Sequence, residues 1–464
     1  IWININQPFS LTAKQQLEQM VEKPVAAVAV INTHMKTIKG FCSIVILILS
    51  LNVTAQEKST EYKKRVLEST EVNLLSSYYS QDGENAAVTG GRGTEELTDF
   101  APSINVSIPL NDDDVLTVDA TVSAYTSASS SNIDPFDGDQ PADPFVASSG
   151  ASRQDTWFGL TANYAHSSDD RNTMISGNLS FANEYDYSSI GFGGSLTKLY
   201  NQKNTELQVN VNAFIDKWRP QYPIEFREGF NISDYDFTGE GNYSPGFTRF
   251  QDESRSSYSL GLSLSQILSK SIQTVFMGDI IFQNGLLSTP HQRVYFSDFE
   301  NTIIEDFELG NDIERLPESR TKIALGNRTN FYLNQSFILR TYYRYYTDDW
   351  DISSHTFKIE LPVKLGMNFT FYPMYRYYTQ TAAKDFGEYH TILSTQEFYT
   401  SDYDLADYDA HQYGIGFKYY DPLTNFKISN FGLKSINLEY NHYNRTTQNF
   451  TANITSLSFN FSGD

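Results

Sequence analysis

Thiol chemistry is nearly absent from this sequence, whose single cysteine is Cys42. One thiol rules out an intrachain disulfide framework and every multi-cysteine metal site. Long apolar runs are scarce as well. Beyond residue 55 no stretch approaches the roughly eighteen continuous apolar residues that mark a membrane-spanning helix. Basic charge is also in short supply, with 34 Lys and Arg against 56 Asp and Glu and a net charge of −22. That balance argues against nucleic acid and anionic lipid as partners.

The order of residues before position 55 is that of a secretory signal. Met35 is followed by Lys36 and Lys39, an apolar core over Gly40–Leu51, and Val53-Thr54-Ala55 as a small-residue cleavage site before Gln56. We therefore expect residues 1–34 to be an upstream extension of the reading frame, outside the native protein. Residues 35–55 read as a signal peptide, 56–70 as a charged periplasmic segment and 71–464 as the folded body. Cys42 falls inside the signal core, ahead of most of the apolar run, where a lipoprotein cysteine would follow it. Removing residues 1–55 takes away four Lys and two Glu, so the charge moves from −22 to −24.

What is present in abundance is alternation. Aromatics make up 14% of the chain while the charged share is 19%, a mixture that fits strands with one apolar and one polar face. Leu207, Val209, Val211, Ala213 and Ile215 alternate with Gln208, Asn210, Asn212 and Asp216. His355, Phe357, Ile359, Leu361 and Val363 alternate with Ser354, Thr356, Lys358 and Glu360. The same period predicts sixteen strands, near 71–79, 98–109, 115–127, 155–166, 172–183, 188–200, 205–218, 254–268, 272–284, 320–333, 336–348, 352–365, 369–381, 411–421, 433–445 and 451–461. Their connections are ordered too. Short turns at 111–114, 167–171, 201–204, 269–271, 334–335 and 366–368, with a longer one near 422–432, alternate with a set containing every long loop: 80–97, 128–154, 219–253, 285–319 and 382–410. An all-β, membrane-spanning, antiparallel up-and-down barrel requires this phase, with its long loops outside and both termini periplasmic. The last strand agrees, since Asn453, Thr455, Leu457, Phe459 and Phe461 share one face. A terminal amphipathic strand ending in Phe resembles the signal by which Gram-negative bacteria direct barrels to the outer membrane.

With the apolar face of each strand given to lipid, the lumen residues follow. Strands ten to fourteen then line it with Lys322, Arg328, Arg340, Arg344, Lys358, Glu360, Arg376 and Lys418, and earlier strands contribute Asp119, Asp216 and Asp279. We expect Arg328, Arg340, Arg344, Lys358, Glu360 and Arg376 to face Asp119, Asp216 and Asp279 across a constriction that sets ion preference. The bland alternative is that these charges pair in a packed interior. Tyr343, Tyr345, Tyr375 and Tyr377 belong to an outer aromatic girdle, while Tyr342, Tyr346 and Tyr378 face the lumen.

Acidic loops offer weak metal candidates in Asp134, Asp137 and Asp139, and a second group at Asp402, Asp404, Asp407, Asp409 and His411. Neither has the spacing of a full calcium loop, and acidic surface loops are more often simply solvated. No cofactor motif is present. An enzyme would need an Asp–His constellation at the rim, and His355 near Asp348, Asp349 and Asp351 falls on the lipid register, so no catalytic residue is expected.

Thr70-Glu71-Val72, the Ser149-Gly150-Ala151-Ser152-Arg153-x-Asp155 lead-in to the fourth strand and the hairpin layout through Phe461 together resemble the bacterial outer-membrane family called domain of unknown function 3570, over residues 65–464. The resemblance implies a barrel and its location and assigns no activity. Passage of small polar solutes is the leading expectation. The alternative is a non-conducting barrel whose acidic loops engage a cell-envelope protein. Outer-membrane lipid surrounds the chain in either case.

Overall fold

The structure is a computed structural model that describes residues 65–126, 154–239, 243, 246–251, 253–304, 307–446 and 448–463. The upstream extension, the signal peptide, residues 56–64 of the charged lead-in and the candidates Asp134, Asp137 and Asp139 lie outside the described residues.

Sixteen long strands run in chain order around a closed ring: β1 (Glu71–Asp82), β2 (Leu97–Pro109), β3 (Asp114–Thr126), β4 (Gln154–Ser167), β5 (Thr173–Asn183), β6 (Tyr187–Tyr200), β7 (Thr205–Trp218), β8 (Ser254–Ser269), β9 (Ile272–Gly285), β10 (Ser319–Tyr332), β11 (Ile338–Asp348), β12 (Ser353–Glu360, resuming over Val363–Leu365), β13 (Phe369–Gln380), β14 (Tyr408–Tyr420), β15 (Phe431–Arg445) and β16 (Phe450–Gly463). Every neighbouring pair is antiparallel. The ring shuts where β1 meets β16, from Glu71 opposite Ser462 to Asp82 opposite Thr451. Closure removes both edges, so no row of backbone donors and acceptors is left for lipid to strand. The interruption in β12 has a local cause, because Pro362 has no N–H to give the ladder.

The short connections gather at one end and are tied by side-chain turns. Asn111 Oδ1 accepts from the backbone N–H groups of Asp113 and Asp114 at 2.8 and 2.9 Å. Asn334 Oδ1 does the same for Ser336 and Phe337 at 2.9 and 3.1 Å. Such side chains replace the backbone partners that a tight reversal cannot supply. At Gly366 the backbone turns through φ +77°, a conformation that costs glycine little. This is the turn end, and all the long connections leave from the opposite, loop end.

Parity is preserved along the pairings except at two register shifts near the turn end, between Ile272 and Gln273 and between Leu433 and Ser435, so the wall has two distinct faces. Leu160, Leu179, Phe192, Leu262, Ile280, Leu325, Phe357 and Ile415 stand exposed on the outside. The inside carries Ser, Thr, Asn and Gly. At the seam Val72, Ile104, Val106, Ala120, Leu433 and Phe461 cluster on the outer face. The terminal aromatic thus helps to latch the last strand to the first.

Candidate functional site

On the inner face the cross-strand register lines up one row: Arg328 opposite Tyr342, Tyr342 opposite Lys358, Lys358 opposite Arg376, and Arg376 opposite Gln412. One inner position nearer the loop end lies Arg344, opposite Thr356, and one nearer the turn end lies Arg340, opposite Glu360. Inner positions repeat about every 6.8 Å along a strand and strands lie about 4.8 Å apart, so five cations share a patch roughly 14 Å on a side. Among the described residues Glu360 serves two of them. Arg340 Nη1 donates to Glu360 at 2.7 Å, and Lys358 Nζ lies 3.4 Å from its other oxygen. The Arg340 side chain is 47% exposed and that of Lys358 35%, so water reaches this wall. Lys364 and Lys418 share the inner face, and the sequence reading did not use Lys364.

The acidic residues do not form an opposing wall of the same kind. Asp119 sits on β3 opposite Asn105, and Asp279 on β9 lies over Gly261. Asp216 on β7 is buried and paired at 2.8 Å with Arg255, which the sequence reading overlooked because the two lie 39 positions apart across a long loop. Around these three the inner face is mainly Ser, Thr, Asn and Gly. The lumen is thus basic over β10 to β14, while Asp99, Asp119, Glu206, Asp279 and Glu439 put acids on the inner face elsewhere.

The loop end is covered. Loops 219–253, 286–318, 381–407 and 83–96 pack on one another with a small apolar core of Val294, Phe296, Ile392 and Tyr399. Arg293 and Glu225, both almost fully buried, form a two-pronged pair at 2.6 and 3.1 Å. Gly310 N–H adds a 3.0 Å bond to the same carboxylate. Arg293 Nη1 also donates to Val88 O at 3.1 Å. Val88 lies between β1 and β2 and Arg293 between β9 and β10, half-way round a ring of sixteen. Loops from opposite sides therefore meet across the mouth, and the cap spans it.

The cap is moored to the inner wall. Arg445 of β15 donates to Asp404 at 2.5 Å and lies 4.3 Å over the Tyr408 ring. Gln81 of β1 donates to Glu95 O at 2.8 Å. Burial, with Asp404 nearby, pushes the Glu95 carboxyl up to about 7. Gly90 turns at φ +73° directly beneath the Tyr295 ring, where a Cβ would collide.

Asp402 and Asp404 are engaged by the cap and β15, Gln292 reaching Asp402 Oδ2 at 3.2 Å. Asp409 instead accepts from Tyr377 on the outer face at 2.9 Å. These carboxylates diverge, and no group of three or more potential ligands converges among the described residues. His355 stands outside, 2.8 Å from Tyr343 Oη, while Asp348 points inward to Arg320 at 2.5 Å. A second outer pair, His411 with Tyr375 at 2.8 Å, repeats the arrangement two strands on. Tyrosine rings at this height fit a membrane-interface belt.

The chain belongs to the family described as Protein of unknown function (DUF3570), whose model matches residues 42–452. No curated protein matches the sequence. Among solved structures it is similar to a bacterial polysaccharide outer membrane secretin, at 9% identity over 86% of this chain and 100% of the other, with a TM-score of 0.41. A Pseudomonas aeruginosa FadL homologue gives 10% identity over 86% and 90%, TM-score 0.38. A BenF-like porin from Pseudomonas fluorescens Pf-5 gives 10% over 85% and 99%, TM-score 0.38. At these scores nothing about solute or mechanism passes from them to this chain.

Proposed function

We propose that the protein is an outer-membrane channel for small polar or charged solutes, with a basic inner wall and a loop cap that must move for passage. The observation that carries this reading is the hydrophilic inner face of a closed sixteen-stranded ring, a number that can enclose an aqueous channel, on which the Arg340 and Lys358 side chains stay 47% and 35% exposed. Arg328, Arg340, Arg344, Lys358, Glu360 and Arg376 line it, together with Asp119, Asp216 and Asp279, and the excess of cations favours anions over cations. The turn end faces the periplasm in this reading, and an N-terminal signal is removed on export. The cap supports a second reading, a non-conducting barrel that presents its packed loops to an envelope protein.

Single-channel recording from the full chain in a planar bilayer separates the two. Steps of current with anion preference, reduced when Arg340 and Arg344 are both changed to Ala, support the channel. A silent bilayer from protein that migrates as a folded, detergent-resistant barrel overturns it in favour of the capped docking surface.

A further inference from the structure

Lys358 and Arg376 stand directly opposite each other on the inner face of β12 and β13. Like charges in that position repel, and a sheet has no intrinsic reason to place them there. Among the described residues no carboxylate comes within 4.0 Å of Arg376, whose guanidinium instead lies 5.9 Å from the centre of the Tyr378 ring. The nearest acid in the patch, Glu360, is already shared by Arg340 and Lys358. Two cations therefore draw on one carboxylate and a third has none, on a surface that water reaches. Between Lys358 and Arg328 in the same row sits Tyr342, an inward-facing hydroxyl able to donate. Planar guanidinium forks, an ammonium and a phenol on a concave wall match a tetrahedral oxyanion with several charges, which accepts bonds from many directions at once.

We propose that Arg340, Lys358 and Arg376, grouped around Tyr342, form a binding site for a multivalent oxyanion of the phosphate type, free or carried on a small solute. This deepens the channel reading by naming its solute class and rests on it for physiological meaning, but binding itself needs no current. Glu360 acts as an internal competitor: it holds Arg340 and Lys358 in place and is displaced when the anion arrives. The Tyr342 ring lies beside the site, in register with Lys358 and Arg328, and provides a surface for the uncharged part of a phosphate ester.

Calorimetric titration of the full chain in detergent at low salt tests this, with inorganic pyrophosphate, glucose 6-phosphate and glucose as titrants. Both phosphates bind and glucose does not. Tighter binding of the sugar phosphate marks an ester as the natural source, and tighter pyrophosphate marks a free oxyanion. Arg376→Ala weakens binding at least tenfold and Arg376→Lys restores part of it. Glu360→Gln tightens binding several-fold, an outcome that a merely structural role for the carboxylate does not produce. No heat with either phosphate, or an Arg376→Ala or Glu360→Gln protein that binds like the parent while folded, overturns the proposal. A conducting barrel without phosphate binding sinks this site and leaves the channel, and a phosphate-binding barrel without current does the reverse.

Discussion

Arg293 shows how much one side chain can hold. Its guanidinium is 1% exposed, pairs with a carboxylate that is 0% exposed, and reaches a backbone carbonyl from the far side of the ring. Truncating one partner of such a pair leaves the other charge buried and alone, a loss of about 3–5 kcal/mol, whereas replacing both with apolar groups is far milder. Arg293→Met should therefore expose the amides of loops 219–253 and 286–318 to hydrogen exchange, and Arg293→Met with Glu225→Met should recover most of the protection. Glu95 makes a second claim at this scale. Its carboxyl is lifted from 4.5 to about 7 in the folded cap by burial, so the folded state retains a proton that the open state gives up. The stabilising contribution is complete below pH 4.5 and is lost as pH climbs through about 7. Exchange in loop 83–96 should accelerate across that interval in the parent, and Glu95→Gln should flatten the dependence.

Among the elements, the strands were legible and the cap was not. Alternation over ten or more residues marks a half-exposed strand whatever its neighbours do, and the fixed hydrogen-bond parity then assigns the face of each side chain; Lys358, Arg376 and Tyr342 needed nothing more. The cap has no period. Its decisive bonds join residues 68 and 205 positions apart, inside segments whose composition resembles solvated loop. Arg255 and Asp216 fall between these cases: each lay on a predicted strand, and only the register across loop 219–253 brings them together. Closure is itself an element-scale event, latched where Phe461 meets Val72. Phe461→Ser should lower the fraction of chains that reach the detergent-resistant form on an unheated gel, while Phe459, also on the outer face, should matter less because Phe461 and not Phe459 is among the buried members of the seam cluster.

For the whole molecule, the two ends have opposite characters. One is closed by packed loops that share a core, and the other ends in short turns. If the cap is the barrier to passage, removing residues 286–318 should convert brief openings into a steady, larger current without loss of the barrel, since the sixteen strands pair independently of that loop. A current that stays unchanged after the deletion would place the barrier inside the bore.

The inner charge is also distributed unevenly along the axis. Lys364 and Lys418 lie within two residues of the turn end of their strands, with Arg340 on Glu360 beside them, while Arg320 and Arg445 at the loop end are each held by a carboxylate. If the bore conducts as proposed, the Lys364 and Lys418 charge near one opening concentrates anions there and depletes them when the field is reversed. Such a barrel would be electrically one-sided: equal voltages of opposite sign would drive unequal currents, and the direction of the larger one would report which way the protein faces in the bilayer.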